Sequence, residues 1–417
     1  MHDLEGAREK NGTMQGPWSD LRVIDLSTRV AGPYCSKLFA DAGAQVIKVE
    51  RPGVGDPCRR ADPFFQDDPH PDKSALFLNL NTGKKSITLD LKNRTGKHML
   101  LSLIRDADLL IENFKPGTLE RLGLSYEALG KLNPSLVLAS ISNFGQSGPY
   151  RDFKAQEIVL FGMSGAMIQE GEQDREPLKY AGNQAQYFAG TQAAAVAAAA
   201  LTGARLQGIG QHVDISIVEA AAMVPQLEVA RYGYSGRQPE DRVPRRPYYQ
   251  QQGAVPSGIH PCKDGYAVFF GGAMYFPRVC ELIGRPELAQ DPRYATPEGL
   301  AEHGDLFLVY LLDWFAERTV QEVVERSQAH RVPAAPMNRI EELFQDPQML
   351  ARDYWVELDH PVVGRQTYPG VPLIMPESPM SVSSSAPLLG QHNREIYQGT
   401  LGLSSAELVL LREQSVI

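Results

Sequence analysis

Three stretches of the chain combine residue types that could hold an anionic ligand, and each follows a short apolar run. Arg29-Val30-Ala31-Gly32-Pro33 comes after Leu21-Arg22-Val23-Ile24-Asp25. Arg51-Pro52-Gly53-Val54-Gly55-Asp56 comes after the run 44–50, which ends in Glu50. Asn113-Phe114-Lys115-Pro116-Gly117 comes after Asp108-Leu109-Leu110-Ile111-Glu112. A guanidinium at such a point can grip a phosphate. An amide beside an aromatic ring and a glycine turn suits an adenine or a phosphate. Each stretch also has a plainer reading. Arg51 alone fits a solvated turn better, and Asn113 fits an Asx-turn that stabilises its loop. The recurrence at three strand ends is more informative than any one of them.

Other chemistries are poorly represented. There is no GxGxxG, GxSxG, HExxH or P-loop motif. The histidines are dispersed, and His212, ahead of a strand-like run, reads as structural. Glu170, Glu172 and Asp174 read as a solvated acidic loop. Cys35, Cys58, Cys262 and Cys280 form no CxxC, so neither a disulfide framework nor a metal site is expected. Reduced thiols fit the cytoplasm.

The elements that must position these residues alternate. Strands at 21–25, 44–50, 108–112 and 136–141 are separated by helices near 34–41, 97–104 and 125–132. That is a βαβ series, hence a parallel sheet covered by helices. The alanine-rich stretch 189–204 is too short to span a membrane and reads as a tightly packed buried helix. Arg237 to Pro256 reads as a loop and linker region. A strand at 265–270 and helices at 275–282, 306–318 and 320–329 then suggest a smaller α+β domain, followed by a proline-rich tail and a closing helix at 404–413. The expected organisation is a large domain from 1–218 and 351–417, linkers at 219–240 and 330–350, and a small domain at 241–329.

The chain has 417 residues, 43% of them hydrophobic and 22% charged, ordinary for a globular protein with two domains. A net charge of −9 argues against nucleic acid, which needs a basic face, but leaves room for a small polyphosphate in a local basic pocket. The N-terminal 20 residues are polar and lack the apolar core of a signal peptide. No membrane association is expected.

The sequence resembles the class III CoA-transferases, the formyl-CoA and carnitine CoA-transferase (CaiB/BaiF) family. The resemblance is carried in order by LRVIDLSTRVAGPYCSKLFADAGAQVIKVERPGVGD, ALFLNLNTGKKSITLDLKN, DLLIENFKPG, LASISNFGQSGPY, RLQGIGQHVDISIVEA, RVPAAPMNRIEELFQDPQMLARDYWVE and APLLGQHNREI, nearly end to end. It implies an α/β fold with a Rossmann-like large domain built from both chain ends, a small α+β domain, and two subunits interlocked as a dimer. It also implies CoA exchange between an acyl-CoA and a small carboxylic acid through an aspartyl anhydride and an aspartyl-CoA thioester, with no metal. Carried over by position, the CoA contacts are Arg29, Val30, Ala31 (through its backbone), Arg51, Leu89, Lys92, Asn113, Phe114 and Arg121.

The chemical positions depart from the family. Its aspartate, four residues before a glycine, corresponds to Gln186 before Gly190. The histidine of the racemase branch corresponds to Gln156, beside Glu157. A glutamine amide is uncharged and a poor nucleophile. Tyr248 to Gly253 stands near the family's glycine-rich loop but holds one glycine. Three expectations follow. The chain is a CoA-binding subunit whose homologous partner carries the aspartate, in the manner of the benzylsuccinate CoA-transferase type. Alternatively it is an active transferase or other acyl-CoA enzyme, as a homodimer, through another carboxylate such as Glu157. Alternatively it only binds CoA.

Overall fold

The computed structural model describes residues 15–171, 175–236 and 256–417. Tyr248–Gly253, the start of the expected small domain and the acidic residues Glu172 and Asp174 lie outside the described residues.

The described chain divides into two compact units. The first comprises Met1–Ser164, Tyr180–Val224 and Gln348–Ile417; the second comprises Gly165–Lys179 and Pro225–Pro347. Most of the stretch expected to link the domains before residue 241, and nearly all of that after 329, therefore falls within the second unit.

The first unit is built on a six-stranded sheet: β1 (Arg22–Asp25), β2 (Gln45–Glu50), β3 (Lys85–Thr88), β4 (Leu109–Glu112), β5 (Val137–Ser142) and β6 (His212–Ser216). Their spatial order is β3-β2-β1-β4-β5-β6, and every pairing is parallel. Parallel strands are covered on both faces and need near-continuous apolar runs, which Leu109-Leu110-Ile111 and Val23-Ile24 supply. The order reverses between β1 and β4, the switch point beside which ligands of such sheets bind.

The first helix, α1, runs over Ala31–Asp41, beginning ahead of the expected start at Tyr34. Gly32 and Pro33 signal a turn in sequence, but the first turn of a helix needs no backbone N–H from proline. The alanine-rich helix runs over Gln184–Gln207 and is buried along one face, with Ala189, Ala193, Ala197 and Leu201 inward. The stretch 189–204, expected to be a tightly packed buried helix, is so on one face only, since Val196 on the other is exposed. Its buried face lies close to α1: a Cβ at Gly190 would stand 2.6 Å from the Ala31 carbonyl oxygen. Small side chains are what permit that approach.

The chain's end completes this unit's core rather than its sheet. Tyr397 donates to the Thr88 carbonyl, Asp90 N–H donates to the Val416 carbonyl, and Ile396, Leu411 and Ile417 pack with Leu89, Leu100 and Leu110. An antiparallel hairpin, Trp355–His360 with Gly364–Pro369, precedes them. The closing helix, Ser405–Glu413, starts at a reciprocal cap between Ser404 and Glu407.

The second unit is α+β. Gly258–Pro261, Tyr266–Phe269 and Ala334–Pro336 form a three-stranded antiparallel sheet, and Phe269, Phe276, Phe307 and Phe315 centre its core. Its long helix, Pro297–Ala316, begins well before the expected Leu306, because Thr296 caps it and Pro297 opens it.

Candidate functional site

The loops after β1 and β4 meet at the switch point and are tied by one side chain. Asn113 accepts from the Thr28 N–H at 2.8 Å and donates to the Thr28 carbonyl at 2.6 Å. Arg29 has φ +69°, uncommon without glycine. Its backbone is held on both sides: its N–H donates to Asp56 at 3.1 Å, and its carbonyl accepts from the Cys58 thiol.

Beneath this loop lies a lattice of buried charges. Lys48 pairs with Asp56 at 2.9 Å and lies 3.9 Å from Asp25. Lys84 reaches Asp25 at 3.2 Å. Arg59 forks onto both oxygens of Glu50 at 2.8 Å, and Ser86 donates to the same carboxylate at 2.6 Å. Burial alone would raise the Asp25 carboxyl. Lys48 and Lys84, with the hydroxyls of Ser27 and Ser36, outweigh it and hold the group at about 2. Burial pushes Lys84 down to about 8, against the pull of Asp25. Lys48 goes the other way, because Asp56, Asp25 and Glu50 together overcome its burial. The Cys58 thiol is driven up to about 12, chiefly by burial and then by Asp56, so it is no ready nucleophile.

The end of β4 is built differently. Glu112 is buried and accepts from the Phe114 N–H at 2.7 Å. Among the described residues no cation pairs with it. Burial pushes it up to about 7, against the hydrogen bonds from Ser140 and Phe114, with Glu120 and Asp214 adding to the rise. His212 bonds Ser140 at 2.9 Å and stacks on Tyr126 at 5.6 Å, which fits the structural role expected of it.

These loops border two cavities. A cleft of about 640 Å³ is lined by Arg29, Val30, Asn113 and Phe114, and extends to Gln156 and Gln186. A smaller cavity of about 260 Å³ is lined by Arg51, Leu89, Lys92 and Phe114, with Leu26, Val49, Leu91 and Leu122 as its apolar wall. Thr28 and Phe114 belong to both. Seven of the nine expected CoA contacts thus line one cavity or the other. Ala31 lines neither; it is buried, its carbonyl against Gly190. Arg121 also lines neither; it donates to Thr118 at 2.7 Å and stands over Gly117.

The other end of the cleft carries the amide. Gln186 sits in the first turn of the alanine-rich helix, and its Nε2 donates to Glu157 Oε2 at 3.3 Å. The second oxygen of Glu157 accepts from the Ala185 N–H at 2.7 Å. Glu157 is buried and does not line the cleft. Its carboxylate thus satisfies a first-turn amide of the helix and fixes the Gln186 side chain. Asp152 is the sole acidic side chain lining the cleft among the described residues, and it is exposed and paired with Lys115 at 3.5 Å. The two cavities thus offer cationic, amide and aromatic side chains, and among the described residues no buried carboxylate lines the cleft.

The sequence reading missed Ser142, Arg151 and Lys154, which also line the cleft. Ser142 ends β5 and Arg151 and Lys154 follow it, a fourth strand end in the same block as Gly148-Pro149-Tyr150. Two cations within the four residues Arg151-Asp152-Phe153-Lys154, in the loop after that strand, were the available signal.

A family model described as CoA-transferase family III matches residues 18–393. The chain is 34% identical over 403 residues to the succinyl-CoA–D-citramalate CoA-transferase of Chloroflexus aurantiacus, covering 96% of this chain and 98% of that protein. It is 36% identical over 410 residues to the formyl-CoA:oxalate CoA-transferase of Streptomyces avermitilis, covering 95% and 98%. Among solved structures, a CaiB/BaiF family protein from Brucella suis superposes with a TM-score of 0.81 at 30% identity, covering 92% of this chain and 99% of that one.

Proposed function

The chain belongs to CoA-transferase family III, and from that premise we propose that it binds an acyl-CoA for exchange with a small carboxylic acid without itself forming the covalent intermediate. The partner in this reading is a homologous subunit that carries the nucleophilic aspartate. The observation that carries the proposal is the reacting end of the cleft. Gln186 lines it, and the nearby Glu157 is engaged by the Ala185 N–H and the Gln186 amide. A carboxylate so engaged is a weaker nucleophile and is set back from the cleft. The nucleotide end supports retained binding, because Arg51, Leu89, Lys92 and Phe114 share one cavity. Relatives named for oxalate and citramalate make a small dicarboxylic acid the acceptor to try first.

One contact favours a second reading. Glu157 lies 3.3 Å from Gln186, so a rotation of the amide would open a path from the cleft to that carboxylate. The experiment separates the two. The purified chain, alone and mixed with an aspartate-bearing homologue, is incubated with acyl-CoA and acid and then quenched with hydroxylamine. Peptide mass spectrometry locates the resulting hydroxamate. The proposal expects no transfer by the chain alone and a label on the homologue only. A label on Glu157 would establish the second reading instead. Gln186→Asp is the complement: transfer by that variant alone would show the rest of the pocket still competent.

A further inference from the structure

The Gln186 amide is oriented by its partner. Glu157 Oε2 accepts from Gln186 Nε2 at 3.3 Å, while the other oxygen of that carboxylate accepts from the Ala185 N–H at 2.7 Å. A carboxylate accepts hydrogen bonds and does not donate them, so the amide turns its NH2 group to Glu157 and keeps its carbonyl oxygen free. Among the described residues Gln186 Oε1 meets no donor, and it is not shielded from solvent. Gln186 lines the cleft, so this oxygen is an unmet acceptor at the reacting end. Asn143 repeats the arrangement from another segment. It follows β5, and its Nδ2 donates to the Ala155 carbonyl at 3.3 Å. A backbone carbonyl also only accepts, which fixes this amide in the same sense. Asn143 Oδ1 meets no donor among the described residues, and Asn143 lines the same cleft. The two anchors, Ala155 and Glu157, flank Gln156, and two residues of chain span at most about 7 Å. The Gln156 side chain donates to neither oxygen. Two oriented acceptors therefore stand at one end of the cleft without donors of their own.

We propose that Gln186 and Asn143 are specificity-determining residues that select an acyl group bearing a hydroxyl, which donates to one of these two carbonyl oxygens. An unsubstituted acyl chain would cover the acceptors and leave them without water or partner, which is costly. A carboxylate on the acyl group would meet the negative ends of two amide dipoles. An ammonium would donate well, but Arg29 and Lys154 line the same cleft with no ion pair among the described residues, and they oppose a further positive charge. A hydroxyl donates without adding charge. The inference rests on the reading that this cleft takes an acyl-CoA, and it adds the kind of acyl group. In that reading the glutamine that replaces a nucleophile is a recognition group.

The test is calorimetry of the full-length chain with butyryl-CoA, 2-hydroxybutyryl-CoA and 3-hydroxybutyryl-CoA, which differ only in the hydroxyl. At least one hydroxylated thioester is expected to bind about fivefold or more tighter than butyryl-CoA, the usual yield of one hydrogen bond. Gln186→Met and Asn143→Leu each keep the bulk of the side chain and remove its acceptor. The preference should fall to within about twofold in one of them, and that variant identifies the oxygen that receives the hydroxyl. A parent chain that binds all three thioesters within about twofold would overturn the proposal while leaving the acyl-CoA reading intact. A preference that persists in both variants would overturn it equally. So would a variant loss of the same size for all three ligands, since the acceptors would then serve a part of the ligand that the three share. A parent chain that binds none of them would overturn both readings. If Gln186→Met melts early, Gln186→Leu takes its place, and the parent's own ratio still decides against the proposal when it is below about twofold.

Discussion

Asp25 and Glu112 end neighbouring parallel strands, both are buried, and they sit at opposite extremes. Asp25 is held at about 2 because two lysines and two hydroxyls outweigh its burial. Glu112 is pushed to about 7 because burial is opposed by hydrogen bonds alone. Position in the fold does not set the charge; the partners do. The same distinction separates scaffold from site. The cations under the β1 loop, Lys48, Lys84 and Arg59, are all matched by carboxylates. Arg29, Arg51 and Arg151, which line the cavities, have no such match among the described residues. Matched charges hold the loops in place, and unmatched ones wait for a ligand.

The sharpest way to break this comparison is to unmatch the lattice. Lys48→Met leaves Asp56 buried without its cation and Asp25 with one lysine instead of two. Removing one member of a buried pair costs about 3–5 kcal/mol. Urea denaturation should show a loss of that size; a loss below about 1 kcal/mol would mean the lattice is more hydrated than its burial implies.

The next effect is the pH dependence contributed by Glu112. Its folded value lies above the ordinary 4.5, so below 4.5 both the folded and unfolded chains hold the proton. Between 4.5 and about 7 the unfolded chain releases it first, and stability falls as pH rises. The full loss is about 3 kcal/mol, of which most should appear between pH 5 and 8. Glu112→Gln should flatten that slope and leave the acid limb untouched. Asp25 supplies part of the acid limb: its stabilisation is present above its ordinary 3.8 and is lost as pH falls through about 2. An unchanged slope in Glu112→Gln would place the titration elsewhere.

How much of this could be read in advance follows the same division. β1, β2, β4 and β5 are apolar runs, and burial on both faces makes such runs legible. β3 carries no such signal, because three of the four residues of Lys85-Ser86-Ile87-Thr88 are polar; it is a strand because Ser86 finds Glu50 and Thr88 finds Asn393. Lys48 within a strand reads as solvent-facing until Asp56, eight residues on, folds back over it. Arg29, Asn113 and Phe114 were visible because a strand end is local in sequence. The contact of Gln186 with Glu157 joins residues 29 apart, and Arg121 meets Arg151 only across a glycine. Such pairings depend on the packing of separate segments, which no local pattern encodes.

On the ligand side the comparison predicts affinity without stability. Arg51 is exposed, lines the smaller cavity and has no carboxylate partner among the described residues. Arg51→Ala should leave the unfolding midpoint unchanged within about 0.5 kcal/mol. It should weaken CoA binding about tenfold at low salt, and by less at high salt as counterions take over the screening. Calorimetry at two ionic strengths reads both. Unchanged affinity would return Arg51 to the solvated turn that its local sequence also allows.

The smallest effect belongs to a cation that borders the cleft but is already matched. Lys115 is 63% exposed and pairs at 3.5 Å with Asp152, itself 64% exposed. An exposed pair of this kind contributes about 0–1 kcal/mol, and its charge is largely neutralised by its partner. Lys115→Ala should therefore change CoA affinity by less than about twofold, although Lys115 lines the same cleft as Arg29. The informative variant is Asp152→Asn, which removes the partner and keeps the lysine. If pairing is what silences Lys115, that change should tighten CoA binding slightly, and the gain should disappear in the Lys115→Ala background. A large loss on Lys115→Ala would instead show that proximity, not the absence of a partner, decides which cations meet the ligand.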